Sequence, residues 1–219
     1  MPVREIPKNH ISVTGRHATS KSIGHADFES PLENDYLILL DFDPRVKSYE
    51  VQPVIVPVPG VRQGYVPDVL VHFHDDADGS PVASQLTEIK SDDDLRVNRK
   101  KYAPKFAAAT SFAEERGWVF VVKSDKEIRT PRLANLKFLR GYRWTACDPS
   151  DIEILLAALR AQGGKSRSDR LLDAVSADDE TRLRLLPVLW HLVVTSRILV
   201  NFDRPFPADV PVWLPGGVA

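Results

Sequence analysis

The sequence predicts an α/β fold, with a mixed sheet flanked by helices and a small C-terminal module. Two observations support this class. The periodic segments of the first part run helix, strands, helix, strand, helix, which is typical of a sheet with helices packed against it. A compositional break at 147–150, Cys-Asp-Pro-Ser, then introduces a series of short helical segments. We therefore predict a polar N-terminal arm over 1–26, an α/β domain over 27–147 and a module over 148–219.

Length and composition are ordinary for a globular protein that buries a core. The chain has 219 residues, of which 43% are hydrophobic and 27% charged, with a net charge of −1. It has no apolar run of about 18 residues, as a membrane span needs, and residues 1–10 lack the apolar stretch of a secretory signal. The single cysteine, Cys147, excludes an internal disulfide and a cysteine-rich zinc site. We expect a cytoplasmic protein without membrane contact.

Residues 29–41 predict the first helix, because apolar side chains recur there at helical spacing. Ser30 can act as the N-cap, with Pro31 at the first helical position. Glu33 follows the cap by three residues, so that Ser30-x-x-Glu33 forms a capping box. Glu33 therefore has a structural explanation as good as a catalytic one, and the sequence does not decide between them.

Strands, turns and helices alternate after this helix, with Gly and Asp-Gly marking the turns. We expect strands over 45–59, 65–74, 85–90 and 118–123, a turn over 60–64, and helices over 94–116 and 131–139.

The sequence of the C-terminal module predicts three short helices, over 151–161, 168–176 and 178–196. A strand over 197–202 follows, with a return strand near 210–213. Three helices and a β-hairpin indicate a winged-helix-like module. Such modules bind DNA through one helix or dock other proteins.

The main candidate site combines Pro67-Asp68 at the start of one strand with Glu88-Ile89-Lys90 in the next. Alternate side chains of a strand share a face, so Glu88 and Lys90 project together and Ile89 turns into the core. An antiparallel neighbour can bring Asp68 beside Glu88, because directly paired residues have Cβ atoms about 4.5–5.5 Å apart. Two acids and one amine would then converge.

This residue set suits phosphodiester hydrolysis. Mg²⁺ takes oxygen ligands and usually keeps several waters, so a few carboxylates with open positions fit it. A bound metal polarises a phosphoryl oxygen and lowers the pKa of a water, and a nearby ammonium stabilises developing negative charge. The spacing alone is a weak signal, since a strand face with Glu-x-Lys usually faces solvent.

Basic residues are concentrated near the candidate site, on the helix after Lys90 and in the stretch after the 118–123 strand. Such patches can contact DNA phosphates without making the chain basic overall, or they can simply form solvated helix faces. The candidate DNA-binding residues are Arg96, Arg99, Lys100, Lys101, Lys105, Lys126 and Arg129.

Four segments resemble, in order and at fitting intervals, the N-terminal domain of the TnsA family, the endonuclease subunits of heteromeric transposases. They are FESPLENDYLILLDFDPRVKSYEVQPVIV, YVPDVL, LTEIKSD and GWVFVVKSDKEIRTPRLANLKFL. The resemblance implies a restriction-endonuclease-like fold of the PD-(D/E)xK type and a Mg²⁺ cofactor, with Mn²⁺ as a substitute. It also implies double-stranded DNA as substrate, cut at the 5′ ends of the transposon. The implied partners are a TnsB-like transposase, which cuts the 3′ ends, and a TnsC-like ATPase regulator.

The resemblance also implies roles for individual residues. Asp68 corresponds to the central metal ligand, Glu33 to the helix carboxylate and Lys90 to the catalytic lysine. Glu88 lies where the family carries Glu or Gln. The implied metal ligands are Glu33, Asp68, Glu88 and the carbonyl of Ile89. Glu29, one helical turn before Glu33, is the competing candidate for the helix ligand.

Two alternatives stay open at this point. A stand-alone restriction or repair nuclease of the same type would cut DNA without a partner. A catalytically inactive adaptor would keep the fold and recruit a transposition ATPase through its C-terminal module. The full set of Glu33, Asp68, Glu88 and Lys90 argues against the adaptor, because decay often removes such clustered charges.

Overall fold

The computed structural model describes residues 14–216, and the chain divides into two compact units with the boundary after Arg129. The predicted boundary, after residue 147, lies further along the chain. The difference arises because helix Pro131–Leu139 belongs to the second unit. Its buried Leu133, Leu136 and Leu139 form part of the core there.

The first unit is built on a four-stranded mixed sheet, as the sequence predicts. Its elements are β1 (Gly15–Arg16), β2 (Asp27–Phe28), α1 (Pro31–Phe42), β3 (Val46–Val51), β4 (Val56–Val58), β5 (Val61–Tyr65), β6 (Val69–Phe73), β7 (Gln85–Lys90), α2 (Asp92–Val97), α3 (Arg99–Glu114), β8 (Val119–Ser124) and α4 (Asp125–Ile128). The strand order is β3-β6-β7-β8. β6 is antiparallel to both β3 and β7, whereas β7 and β8 are parallel. This arrangement is consistent with a restriction-endonuclease-like fold.

Other elements cover both faces of this sheet. On one face α1 lies against the strands, and Tyr36 Oη accepts a hydrogen bond from the Gln85 side chain (3.3 Å). On the other face Leu70 and Leu86 pack into a buried core with the β4–β5 hairpin and with Ala109 of α3. The ends of β6 and β7 are therefore held between two layers.

Three predicted elements of this unit differ from the structure. The predicted strand over 65–74 is wrong at its start, because Tyr65 ends β5 and β6 begins only at Val69. The predicted turn over 60–64 is wrong, because β5 begins at Val61 and the turn is confined to Pro59 and Gly60, where Gly60 has φ +78°. The predicted helix over 94–116 is two helices, α2 and α3. The break lies at Asn98, whose backbone leaves the helical conformation (φ −101°, ψ 18°) and whose side chain donates to the Asp94 carboxylate (2.6 Å).

Residues 14–26 of the predicted polar arm make specific contacts with the rest of the first unit. β1 pairs with β2, and the largely buried His17 ring contacts Asp41 (2.7 Å) and Asn34 (2.9 Å) of α1. These residues show no hydrophobic period because specific polar contacts, rather than an apolar face, hold them in place. Residues 1–13 of the predicted arm lie outside the described residues.

The second unit contains the three predicted helices around an apolar core. Its elements are α5 (Pro131–Leu139), a 3₁₀ helix (Arg140–Trp144), α6 (Pro149–Ala161), β9 (Lys165–Arg167), α7 (Ser168–Val175), α8 (Asp179–Val194) and β10 (Pro211–Trp213). The fully buried side chains include Leu155, Leu159, Leu171, Leu185 and Leu189. Across residues 14–216, none of the helices combines the length and apolarity needed to cross a membrane.

The predicted β-hairpin between 197–202 and 210–213 is not the main pairing of this unit. β10 pairs antiparallel with β9, and Leu199 adds a single bridge to Trp213. The strand stops there because Asn201 turns the chain, its side chain accepting a hydrogen bond from the Asp203 N–H (2.9 Å). The winged-helix assignment therefore stays a prediction.

Candidate active site

Asp68, Glu88 and Lys90 converge at one end of the sheet, as the strand register predicts. Asp68 immediately precedes β6, and the pairing of Val69 with Thr87 makes Glu88 its neighbour on β7. Lys90 Nζ lies 2.7 Å from Glu88 Oε1 and 3.6 Å from Asp68 Oδ2. The three side chains form a charge cluster, which we call the acidic–lysine cluster.

Backbone hydrogen bonds fix Asp68 within this cluster. Its Oδ2 accepts the N–H of Ile89 (2.6 Å), which ties the carboxylate to the neighbouring strand. Its carbonyl accepts the N–H of Gln52 (2.8 Å), at the end of β3. Asp68 is therefore held from the β7 side and from the β3 side. Its Oδ1 takes no part in these two hydrogen bonds.

The Lys90 ammonium contacts the oxygens that were predicted to bind metal. Besides the two carboxylates, it donates to the carbonyl of Ile89 (2.9 Å). Oxygens of Asp68, Glu88 and Ile89 thus surround one cationic group. The geometry favours a positive charge at this point.

Burial and mutual repulsion shape the protonation of the cluster. The side chains of Asp68 and Glu88 are only 15% and 3% exposed. Burial first, and then the charge of Glu88, raise the pKa of Asp68 well above its usual range, while Lys90 opposes this shift. For Lys90, burial opposes the charged form, but the charges of Asp68 and Glu88 outweigh it and raise the pKa. Lys90 is therefore held protonated.

Glu33 lies at the N-terminus of α1 in the capping role. Its Oε2 accepts the N–H of Glu29 (2.7 Å), and its Oε1 accepts the Ser30 hydroxyl (2.8 Å). Burial raises the pKa of Glu33, and the charge of Lys90 lowers it. The charge of Glu33 in turn raises the pKa of Asp68. Glu33 is thus electrostatically linked to the acidic–lysine cluster while both of its oxygens serve the helix cap.

Glu29 does not share a helical face with Glu33, contrary to our expectation. The helix begins at Pro31 with Ser30 as its N-cap, so Glu29 lies before the first turn. Ser30 sets this boundary as the N-cap, because its hydroxyl accepts the N–H of Glu33 (3.2 Å). The predicted capping box is only half formed, since the Glu33 carboxylate accepts the N–H of Glu29 instead of the N–H of Ser30.

The donor atoms of the cluster fit a hard cation that shares its coordination with a substrate. Within residues 14–216, no three His, Cys, Asp or Glu side chains are grouped so as to hold a metal by themselves. Asp68, Glu88 and the Ile89 carbonyl offer oxygen atoms only. Mg²⁺ is commonly bound by one or two carboxylates together with waters and substrate phosphates, so this smaller set is compatible with Mg²⁺ or Mn²⁺.

The seven predicted DNA-binding residues fall into two groups. Arg96, Lys126 and Arg129 form ion pairs with acids of the first unit, and the partner of Arg129 is the buried Asp35. The other four lie on α3, where Arg99, Lys100 and Lys101 are exposed and Lys105 is half-buried. The Lys105 ammonium lies 5.6 Å from the centre of the Tyr65 ring. Helix α3 therefore carries four of the seven basic residues, one of which lies over the ring of Tyr65.

Two further residues lie beside the cluster. Tyr65 was not singled out from the sequence, whereas Gln52 belongs to the Gln52-Pro53 pair, which also resembles the TnsA family and was expected to have at most a supporting role. Tyr65, at the end of β5, is buried, and the charge of Glu88 acts on its hydroxyl. Gln52 is buried with φ +47°, a conformation that non-glycine residues rarely adopt. Both residues lie within the segments that resemble the TnsA family, Tyr65 just before Val66-Pro67-Asp68 and Gln52 just before Pro53.

Comparisons with known proteins identify the family of this chain. A family model described as TnsA-like endonuclease N terminal matches residues 43–125, and one described as TnsA endonuclease C terminal matches residues 127–202. Asp68, Glu88 and Lys90 lie inside the first match, whereas Glu33 precedes it. A search of curated proteins gave no match. Because the two models together match more than half of the chain, the protein belongs to the TnsA family, the endonuclease subunits of transposases.

Proposed function

We propose that the protein is a Mg²⁺-dependent endonuclease subunit that cleaves the 5′ ends of a transposon during cut-and-paste transposition. One observation carries this proposal. In a TnsA-family chain, oxygens of Asp68, Glu88 and Ile89 surround the Lys90 ammonium at the end of two paired strands. These are the residue types that phosphodiester hydrolysis requires, on a face shared by both strands.

In this proposal Asp68, Glu88 and the Ile89 carbonyl hold the cation. When bound, the metal supplies polarisation of the scissile phosphodiester and a water of lowered pKa. Lys90, kept protonated by its two acidic neighbours, stabilises negative charge that develops on the phosphate. Glu33 contributes a further oxygen once its side chain leaves the helix cap, which costs on the order of 1 kcal/mol.

The basic residues of α3 bind the DNA backbone in this proposal. Lys101 lies over the ring of Tyr102, and Lys105 lies over the ring of Tyr65. The charge of Glu88 acts on the hydroxyls of both tyrosines. Phosphate contacts position a protein on DNA but carry little base specificity. Recognition of the transposon end therefore falls to a TnsB-like partner, and a TnsC-like ATPase regulates the assembly.

The test uses Asp68→Ala and Lys90→Ala in a transposase reconstituted with labelled transposon-end DNA. Both variants are expected to lose 5′-strand cutting while their circular dichroism and cooperative unfolding persist. Asp78→Ala and Lys47→Ala, which alter exposed side chains, serve as matched controls with normal cutting. Retained 5′-strand cutting by both cluster variants would contradict the proposal. Efficient cutting by the purified wild-type protein alone would favour the stand-alone nuclease instead.

A further inference from the structure

Two buried polar atoms beside the cluster are complementary to each other. Tyr65 Oη and Glu88 Oε2 each lack a hydrogen bond of ordinary geometry among the described residues. The two residues are only 7% and 2% exposed. Leaving such atoms unpaired is costly. One of them is a hydroxyl that can donate, and the other is a carboxylate oxygen that can only accept.

The two groups already interact electrostatically. Burial first, and then the charge of Glu88, raise the pKa of Tyr65. A tyrosine hydroxyl is protonated at neutral pH in any case and can donate. The other carboxylate oxygen, Glu88 Oε1, is engaged by Lys90 at 2.7 Å.

The fold holds the Tyr65 ring in place from several sides. Tyr65 pairs with Val56 in the β4–β5 hairpin and packs in the core that contains Leu70 and Leu86. Lys105 lies over its ring at 5.6 Å. A ring fixed in this way presents its hydroxyl from a constant position.

We propose that Tyr65 is a positioning residue for Glu88. Its hydroxyl donates to Glu88 Oε2 and so keeps Oε1 turned toward Lys90 and Asp68. The part of this inference that concerns metal binding rests on the proposed function of the cluster. Partners of this kind behind a metal ligand orient it, and their loss typically weakens metal binding about 10–100-fold.

The first experiment compares Mn²⁺ binding to the full chain and to Tyr65→Phe by titration calorimetry. The substitution keeps the ring and removes only the hydroxyl. We expect Mn²⁺ binding to weaken about tenfold or more. Tyr49→Phe is the matched control, because it removes a buried hydroxyl that contacts Asp41 on the opposite face of the sheet. Equal Mn²⁺ affinities for wild type and Tyr65→Phe would overturn the inference.

A second experiment tests the Tyr65–Glu88 hydrogen bond without metal. A double-mutant cycle combines Tyr65→Phe with Glu88→Met, and denaturant unfolding is followed in EDTA. We expect the double variant to be less destabilised than the sum of the single variants, whereas additive effects would overturn the inference. If wild type bound no Mn²⁺, the proposed function would fail, and the cycle would still decide whether Tyr65 holds Glu88.

Discussion

Lys90 Nζ lies 2.7 Å from Glu88 Oε1, and the two side chains come from alternate positions of one strand. This ion pair therefore requires only the geometry of one strand and no contact with a distant residue. Asp68 joins from the neighbouring strand, with its Oδ2 at 3.6 Å from the same ammonium. Such a pair orients the Glu88 carboxylate, but it also means that Lys90 and a cation would compete for the same oxygens.

This competition predicts that metal binding and cleavage can be separated at Lys90. Lys90→Met removes the ammonium but keeps much of the side-chain volume. We expect Mn²⁺ to bind at least about fivefold more tightly, since loss of a nearby positive charge removes roughly 1 kcal/mol or more of repulsion. Cleavage of transposon-end DNA should nevertheless be lost. Calorimetry and a cleavage assay measure the two effects, with Lys47→Met as the control, and unchanged or weaker Mn²⁺ binding would contradict the competition.

Glu33 and Glu29 can be distinguished by paired amide substitutions. Glu33→Gln keeps an acceptor for the helix cap, since Gln also serves in a capping box, so the free energy of unfolding should change by less than about 0.5 kcal/mol. Cleavage should fall about tenfold or more, because the charge that acts on Asp68 is removed. Glu29→Gln should cut normally. The reverse pattern in a cleavage assay would transfer the role to Glu29.

The raised pKa of Asp68 predicts that this residue destabilises the metal-free fold at neutral pH. In the unfolded chain an aspartate titrates near about 3.9, below its pKa in the folded chain. Ionisation therefore favours the unfolded state as pH rises above about 4. Asp68→Asn, in EDTA at pH 7, should raise the free energy of unfolding by about 1 kcal/mol, or about 2–4 °C in melting temperature.

The pH dependence of that effect is the sharper test. Below about pH 4 both states of wild type carry a protonated Asp68, so the advantage of Asp68→Asn should disappear. The exposed Asp78 serves as the control, because its hydrogen bonds to Ser80 lower its pKa and Asp78→Asn should bring no gain. Thermal melts across the pH range measure both variants. A pH-independent gain for Asp68→Asn would rule out ionisation as its cause.

The exposed lysines of α3 should contribute to DNA binding in a salt-dependent way. Replacing Lys100 and Lys101 together by Ala, in an Asp68→Ala background that prevents cutting, should weaken DNA binding similarly for all sequences. Each lost phosphate contact should reduce the slope of log affinity against log salt by about 1. Fluorescence anisotropy at several salt concentrations measures this slope, and Lys47→Ala is the control. An unchanged slope would remove this helix face from the DNA interface.

Asn135 stabilises the second unit through three hydrogen bonds. Its amide donates to the carbonyls of Phe202 (2.9 Å) and Arg204 (2.7 Å), and its Oδ1 accepts the N–H of Phe206 (3.3 Å). Because this side chain is buried, Asn135→Ala leaves several polar groups unpaired and should cost about 3 kcal/mol in denaturant unfolding. The control is Asp203→Ala, which removes an exposed ion pair with Arg132 and should cost less than about 1 kcal/mol. Similar costs for the two variants would contradict this account.

Local rules explain which features the sequence predicted well. The apolar periods and capping residues placed α1, β7 and α5, because helix caps and strand alternation depend on residues that are close in the chain. The predicted turn over 60–64 and the predicted unbroken helix over 94–116 were wrong because they depend on individual contacts rather than on a periodic pattern. Pairing of Val58 with Val61 and the side-chain bond of Asn98 to Asp94 are specific contacts that periodicity does not contain.

The sequence by itself determined that Glu88 and Lys90 share a strand face, that Ser30 caps α1, and that the motifs resemble one nuclease family. Only the tertiary structure decided that Lys90 contacts Asp68 as well, that both oxygens of Glu33 accept hydrogen bonds at the helix start, and that Tyr65 is buried where the charge of Glu88 acts on it. These relationships join residues from separate strands and helices. Register and side-chain conformation set them, and both are fixed only when distant segments pack together.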